Sequence, residues 1–354
     1  MKSLNELKKV VDEFAQLCLE ITKTHPYYIP IVMHEFSRNL YPYDIYLGFR
    51  ENENLSHTER VYTCTKNLCK YLKLNSSYPT YKNNLKIFET DINNQNDMNE
   101  INSLLYDTIW NDISLEAITT RSKATLEDMF QRNGYKDILK GKTVLDIGCG
   151  SGRFSIAMAT MGAKHVTGID IGLEGLKVGK RIAKDNAIEN ITFDKVDAEN
   201  LPYSDQSFDF VFSYGVLHVL KDMNKAFSEL ARVVKKNGNA FVFIYGSGGI
   251  YWYSRRIMKT IMKEIPLEYS KKVLKLIFLP EDRWLFLDNW YDAIEIHSKD
   301  IDMQRKFLDI GFNSIDKIDR VDKSDLHYHA INSGEEGAIM WGEGFLRYML
   351  GKKI

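Results

Sequence analysis

In TVLDIGCGSGRFSIAMATMGAKHVTGID, Thr143 to Asp170, an aspartate stands directly before three closely spaced glycines, and no lysine follows them. A dinucleotide turn would read G-x-G-x-x-G and hold a pyrophosphate on the next helix N-terminus. Here the glycines are Gly148, Gly150 and Gly152, and Arg153 takes the place of the third fingerprint glycine. A phosphate-cradling loop would need Gly-Lys-Ser/Thr, which this turn lacks. A carboxylate such as Asp146 at about 5 Å from a phosphate costs roughly 3 kcal/mol per charge pair at an effective dielectric of about 20. The turn therefore points to a ligand without phosphate.

S-adenosylmethionine suits these residues. Its ammonium and sulfonium are favoured by an acid at a strand end, and glycines let the backbone approach its methionine part closely. Asp170, at the end of the second apolar run, is placed to accept from both ribose hydroxyls. Further on, VDAENLPYSDQSFDFVFSYGVLHVL supplies Asp197 for the adenine amine and the Ala198 amide for a ring nitrogen. The order LDIGCGSG, GID, VDAENLPYSDQSFDFV, YGVLHVLKD, ELARVVKKNGNAFVFIYG resembles the class I S-adenosylmethionine-dependent methyltransferases, closely over residues 140 to 246 and loosely over the C-terminal third. The resemblance implies a seven-stranded, doubly wound sheet with its last strand antiparallel. It carries Asp146, Gly148, Gly150 and Gly152 to the methionine moiety, Asp170 to the ribose, Asp197 with Ala198 to the adenine, and Ser213 with Tyr214 to the surroundings of the sulfonium. Cys149 and Ile171 are counted with the same cofactor-binding set. The plainer reading of the same residues is that Asp146 caps the turn and the glycines allow close helix-to-sheet packing.

Methyl transfer from a sulfonium is an in-line displacement, so a protein has mainly to align donor and acceptor and to exclude water. A hydroxyl acceptor profits from a general base, whereas an amine or thiolate needs only positioning. His218 in GVLHVL follows the fourth strand and is the candidate base, although Val219 stands where many relatives have a second histidine. Its other reading is a helix cap or packing residue. Tyr245, leaving the fifth strand at the same rim, is the second candidate catalytic residue. In YWYSRR, Tyr251, Trp252 and Arg255 read as an aromatic wall with an anchor for an acceptor carboxylate or phosphate, or else as a packed helix face. Trp110 and Arg121 lie in the helical approach to the first strand, which acts as a lid in related enzymes. Asp282, Asp288, Asn289 and His297 are metal-type donors whose spacing matches no ligand set. His327 and His329 in HYH share one face of a strand but lack a third partner. No metal is expected.

The elements that must position these groups are legible as alternation. Short β-type runs fall at 143 to 147, 164 to 169, 190 to 194, 208 to 213 and 239 to 245, with helical stretches beginning near 152, 173 and 222. Continuous apolar strands alternating with helices predict a parallel sheet covered on both faces, with its crevice at the strands' carboxyl ends. After a mostly helical insertion over about 247–298, KDIDMQRKFLDIGF predicts a helix stopped at Gly311. SIDKIDRVD and FLRYML then predict two strands that pair antiparallel at the sheet edge. Residues 1 to about 74 read as helices, with Ser56 and Glu59 at capping-box spacing, and an Asn- and Ser-rich linker follows. The expected division is a helical lid, substrate or dimerisation domain over 1–100 and a methyltransferase domain over 101–354.

A chain of 354 residues, 44% hydrophobic and 27% charged, is long enough for one sizeable core and a second domain. A net charge of -1 gives no overall attraction to nucleic acid or an anionic membrane. The expected partner is a small-molecule acceptor, with a homodimer left open. Macromolecular methylation and a transferase-dead cofactor-binding protein are the alternatives. Charges interrupt every apolar run of the first twenty residues, which argues against a signal peptide or membrane span. The four cysteines, Cys18, Cys64, Cys69 and Cys149, make no disulfide framework or zinc pair, so a reducing cytoplasm is expected.

Overall fold

The structure, a computed structural model, describes residues 1–23, 25–40, 56–75, 120–276, 287–292, 294–319, 330 and 332–352. The chain forms two compact units, neither continuous in sequence. The first comprises Met1–Gln95, Ser247–Tyr291 and Asp322–Gly344, and the second Asn96–Gly246, Asp292–Val321 and Phe345–Ile354.

The second unit is built on one seven-stranded sheet. Its strands are β1 (Thr143–Ile147), β2 (His165–Asp170), β3 (Ile191–Lys195), β4 (Phe208–Tyr214), β5 (Val234–Tyr245), β6 (Ser314–Lys317) and β7 (Phe345–Gly351), in the order β3-β2-β1-β4-β5-β7-β6. The first five run parallel, and β7 lies antiparallel between β5 and β6. This is the expected doubly wound α/β architecture. β5 starts five residues before its apolar run, because Val234 pairs with Phe208 ahead of a register shift that leads to Phe210 opposite Asn239. The charged KKNG stretch inside that irregularity hides the early start from hydrophobic patterning.

Alternation of side chains across the pleat divides the core into two. On one face Leu145, Ile147, Val211, Val242, Ile244 and Tyr348 join Phe227 and Leu230 of the helix Met223–Val233 and Phe307 of the helix Asp300–Asp309. On the other face Phe130, from the helix Ser122–Arg132, meets Phe210 and Phe241 edge-on, and Phe154 of the helix Arg153–Thr160 meets Phe212. The helices begin within a residue of the expected positions.

The first unit is helical. Leu4–Thr22 carries a complete Ser3–Glu6 capping box, and Ser56 and Glu59 make reciprocal contacts ahead of His57–Asn75. Phe14 packs on Phe36, and the Trp290 indole N–H donates to Ser37 Oγ at 2.9 Å. The insertion helix Gly249–Met262 thus belongs with the N-terminal helices. Among the described residues no helix is long and apolar enough to cross a membrane.

One cation holds the loop between β3 and β4. The Arg232 guanidinium donates to both carboxylate oxygens of Glu229, to Asp205, and to the Tyr203 and Leu201 carbonyls, all within 2.7–3.0 Å. Glu229 also accepts the Leu201 N–H at 2.8 Å. Hydrogen bonds to charged groups contribute roughly 1.5–3 kcal/mol each, less where water competes. Arg232→Ala is expected to lower stability by about 2 kcal/mol and to speed amide exchange at 197–205 well beyond the rest of the sheet. Urea unfolding with hydrogen-exchange mass spectrometry checks both.

Candidate cofactor and acceptor site

The carboxyl ends of β1 to β4 form one rim. Gly148, Asp170, Ile171, Asp197, Tyr214, Gly215 and Val216 are half-buried there, while β1, β2 and β4 behind them are mostly buried and the edge strand β3 buries Phe193. The glycine turn is tied back to β2 through its own backbone. The Gly148 and Cys149 N–H groups donate to the Ile169 carbonyl at 2.8 and 2.9 Å, and the Gly152 N–H to the Cys149 carbonyl at 2.9 Å. The Gly150 N–H goes to Asp170 Oδ2 at 2.9 Å. A phosphate cradle needs such amides free and aimed outward. Four of them are already committed here, an obstacle to phosphate that the Asp146 argument did not contain.

The glycines have steric reasons. Gly152 caps the helix Arg153–Thr160 at φ +77°, and a Cβ there would lie 2.5 Å from the Phe193 ring. At Gly148, φ +72°, a Cβ would lie 2.4 Å from Val216. Phe193 also fits against Gly168 and Gly179, so one aromatic from the edge strand closes the space beneath the turn. This slot was not foreseen; its only sequence signal is the recurrence of glycine at 152, 168 and 179.

Three acids stand at three successive strand ends, each in its own environment. Asp146 is buried and accepts from Ser155 Oγ at 2.5 Å. Burial lifts its carboxyl to about 7 against the opposing Ser155 bond, and the charge of Asp170 adds to the rise. Asp170 accepts from the Gly150 N–H and, at 2.8 Å, the Gly172 N–H. Asp197 accepts the Glu199 N–H at 2.8 Å and so shapes the turn that contains the buried Ala198. Glu199 in turn accepts the Asp222 N–H at 3.0 Å and joins this turn to the next helix.

At β4 and β5, Ser213 is buried and donates to the Ile147 carbonyl at 3.3 Å, and Tyr214 packs on Phe154 and Phe243. His218, in the short turn Leu217–Val219, is fully buried, with its ring centroid 3.8 Å from that of Tyr245. The two candidate catalytic residues are therefore brought together. Arg121 is exposed at the start of the helix Ser122–Arg132.

Tyr251, Trp252 and Arg255 lie in the first unit, each 1% exposed. The Trp252 indole donates to the Trp341 carbonyl at 3.0 Å, and Arg255 lies over Trp252 and 3.9 Å from Asp288. Asp288 and Asn289 belong to that unit, whereas His297 belongs to the second, beside Tyr245. Trp110, Asp282, His327 and His329 lie outside the described residues. Among the described residues no group of three or more His, Cys, Asp or Glu is arranged to hold a metal ion.

Residues 138–269 match a family model described as a methyltransferase domain. Those residues carry a methyltransferase domain. The domain is 33% identical over 140 residues to 27-O-demethylrifamycin SV methyltransferase of Amycolatopsis mediterranei, covering 38% of this chain and 52% of that protein. It is 37% identical over 136 residues to demethylmenaquinone methyltransferase of Staphylococcus aureus, 38% and 52% of the two chains. It is 29% identical over 179 residues to tRNA U34 carboxymethyltransferase of Campylobacter hominis, 48% and 58%. The chain thus spans about half the length of these curated relatives. The methyltransferase domain's cofactor fits the residues present, since three strand-end carboxylates and a turn with committed amides suit a cationic adenosine better than a phosphate ester.

Because the clash and the positive φ coincide at Gly152, Gly152→Ala is expected to cost about 1–3 kcal/mol. Adding Phe193→Leu should restore part of that loss by relieving the contact and leaving the backbone strain. Denaturation midpoints of the two variants check this.

Proposed function

We propose that this chain transfers a methyl group from S-adenosylmethionine to a small-molecule acceptor. The observation that carries the reading is the set of acids at the ends of β1, β2 and β3 around a glycine turn whose amides are spent internally. Bound there, S-adenosylmethionine supplies an electrophilic methyl group on a sulfonium. The turn at Gly148, Gly150 and Gly152 faces the methionine part, with Cys149 and Asp146 behind it. Asp170 receives the ribose hydroxyls, beside Ile171. Asp197 and the Ala198 amide take the adenine edge, and Ser213 and Tyr214 border the sulfonium. His218 accepts the proton of a hydroxyl acceptor, with Tyr245 packed on its ring to orient it.

The rifamycin and menaquinone methyltransferases, whose printed names give small-molecule substrates, support this choice of acceptor class. The tRNA enzyme supports a macromolecular acceptor instead. The net charge of -1 lends that second reading no overall attraction to RNA. A labelled-methyl screen against metabolite pools, RNA and protein separates the two. Label in small molecules is the expected outcome, and label confined to macromolecules overturns it.

The raised Asp146 carboxyl gives the cofactor step a pH dependence. Its carboxyl titrates near 7 in the free chain, and a nearby cation favours the ionised form, so binding below that pH must expel a proton. Affinity for S-adenosylmethionine is expected to rise from about pH 6 to about pH 8 relative to the Asp146→Asn variant, then level off. Calorimetry at several pH values reads this directly, and parallel profiles for the two proteins would refute it. Asp170→Ala should weaken cofactor binding by roughly 1.5–3 kcal/mol per lost bond to a charged group. Unchanged affinity in a folded variant would remove it from the ribose site.

A further inference from the structure

Residues Glu295 to Ser298 run beside the ends of β4 and β5 and bond to the backbone of both rim residues. The Ile296 N–H donates to the His218 carbonyl at 2.7 Å and the Ser298 N–H to the Tyr245 carbonyl at 3.2 Å. Gly246 and Ser298 form a parallel bridge. Between them His297 is fixed by its ring, with Nδ1 at 3.0 Å from the Gly246 carbonyl. A carbonyl oxygen can only accept, so Nδ1 carries a proton and Nε2 is the nitrogen left to gain or lose one. Nε2 lies 3.2 Å from Oε1 of Glu295, whose side chain is 4% exposed. Glu295, the Gly246 carbonyl and the Tyr245 ring, 6.5 Å away between centroids, are among the groups facing the His297 ring, with the tilted His218 ring beyond Tyr245.

We infer that Glu295 and His297 form a second proton-handling pair at the acceptor end: His297 Nε2 receives the proton that a methylated hydroxyl or amine sheds, and Glu295 supplies the counter-charge. The inference rests on the methyl-transfer reading of the same rim. In bond terms, the acceptor's lone pair joins the methyl carbon while the carbon–sulfur pair leaves with sulfur. The acceptor's bond to hydrogen then breaks, its electrons stay on the methylated atom, and the proton passes first to His218, the base of the proposed reaction, and from it to Nε2. The positive charge that began on the sulfonium ends on the imidazolium beside a desolvated carboxylate.

Nitrogen-15 NMR of the histidine side chains in the full chain tests the pair, with His297→Gln assigning the His297 signals. The expected pattern is a protonated Nδ1 and an Nε2 signal that responds to Glu295. Glu295→Gln should move the Nε2 resonance and leave that of Nδ1 in place, with an otherwise native amide spectrum. An unprotonated Nδ1, or an Nε2 resonance that Glu295→Gln leaves in place, overturns the inference. If Glu295→Gln does not fold, Glu295→Asp serves instead: a moved Nε2 resonance supports the pair and an unmoved one overturns it. Calorimetry with S-adenosylhomocysteine judges the underlying reading separately. Failure of the wild-type chain to bind it removes the role in methylation whatever the nitrogen spectra show, whereas binding with an unmoved Nε2 resonance removes the pair alone.

Discussion

The carboxylate of Asp170 accepts one N–H from the glycine turn, at Gly150, and one from the start of the next connection, at Gly172. Through the first of these bonds the last residue of β2 fixes the backbone that follows β1. The Ile169 carbonyl adds two further bonds to the same turn, so the loop between a strand and its helix behaves as part of the sheet. Backbone tied in this way has less freedom to lose when a ligand binds, which favours precise orientation of bound groups.

The three strand-end acids show how one residue type is put to three uses by its surroundings. Asp146 is sealed under the turn and held by a serine, so burial dominates its titration. Asp170 is half-buried and shared between two amides, and Asp197 shapes a turn whose far end is anchored by Arg232. Spacing along the sheet is set by strand register: Asp146 lies opposite Gly168 of β2, two residues before Asp170. Had Gly168 carried a side chain, its Cβ would stand 2.9 Å from both Phe193 and Ser155 Oγ, so the buried acid and its serine partner require glycine at this crossing.

Much of this was legible in the sequence. The parallel strands announce themselves as apolar runs between helices because both faces of the sheet are covered, and the order of motifs along those runs named the domain. Tyr245 and His218 were each singled out, and their ring contact follows from leaving adjacent strands at one rim. Other features carry no local signal. Phe193 reads as one aromatic in a polar edge strand, and its fit against three glycines exists only once two strands and a helix have met. Arg232 and Glu229 look like an ordinary exposed helix pair, yet they secure a loop about thirty residues earlier. His297 read as a possible metal donor because donor type is visible in sequence. Its place beside Tyr245, in a different unit from Asp288, depends on where the chain re-enters the sheet.

The composition of the first unit bears on the order in which the molecule is made. Its helices at 4–75 pack with a helix at 249–262 and a helix at 334–341, and the Thr58 backbone and hydroxyl both donate to Glu336. During synthesis the leading helices can pack on one another, as Phe14 does on Phe36, while the partners of their remaining apolar faces are still unmade and the strands β1 to β5 follow and can begin to pair. Contacts that span nearly three hundred residues close slowly because of the loop entropy they must overcome. The N-terminal helices are thus the segment with the longest wait for their native neighbours, and the one for which protection by a chaperone on the ribosome would matter most.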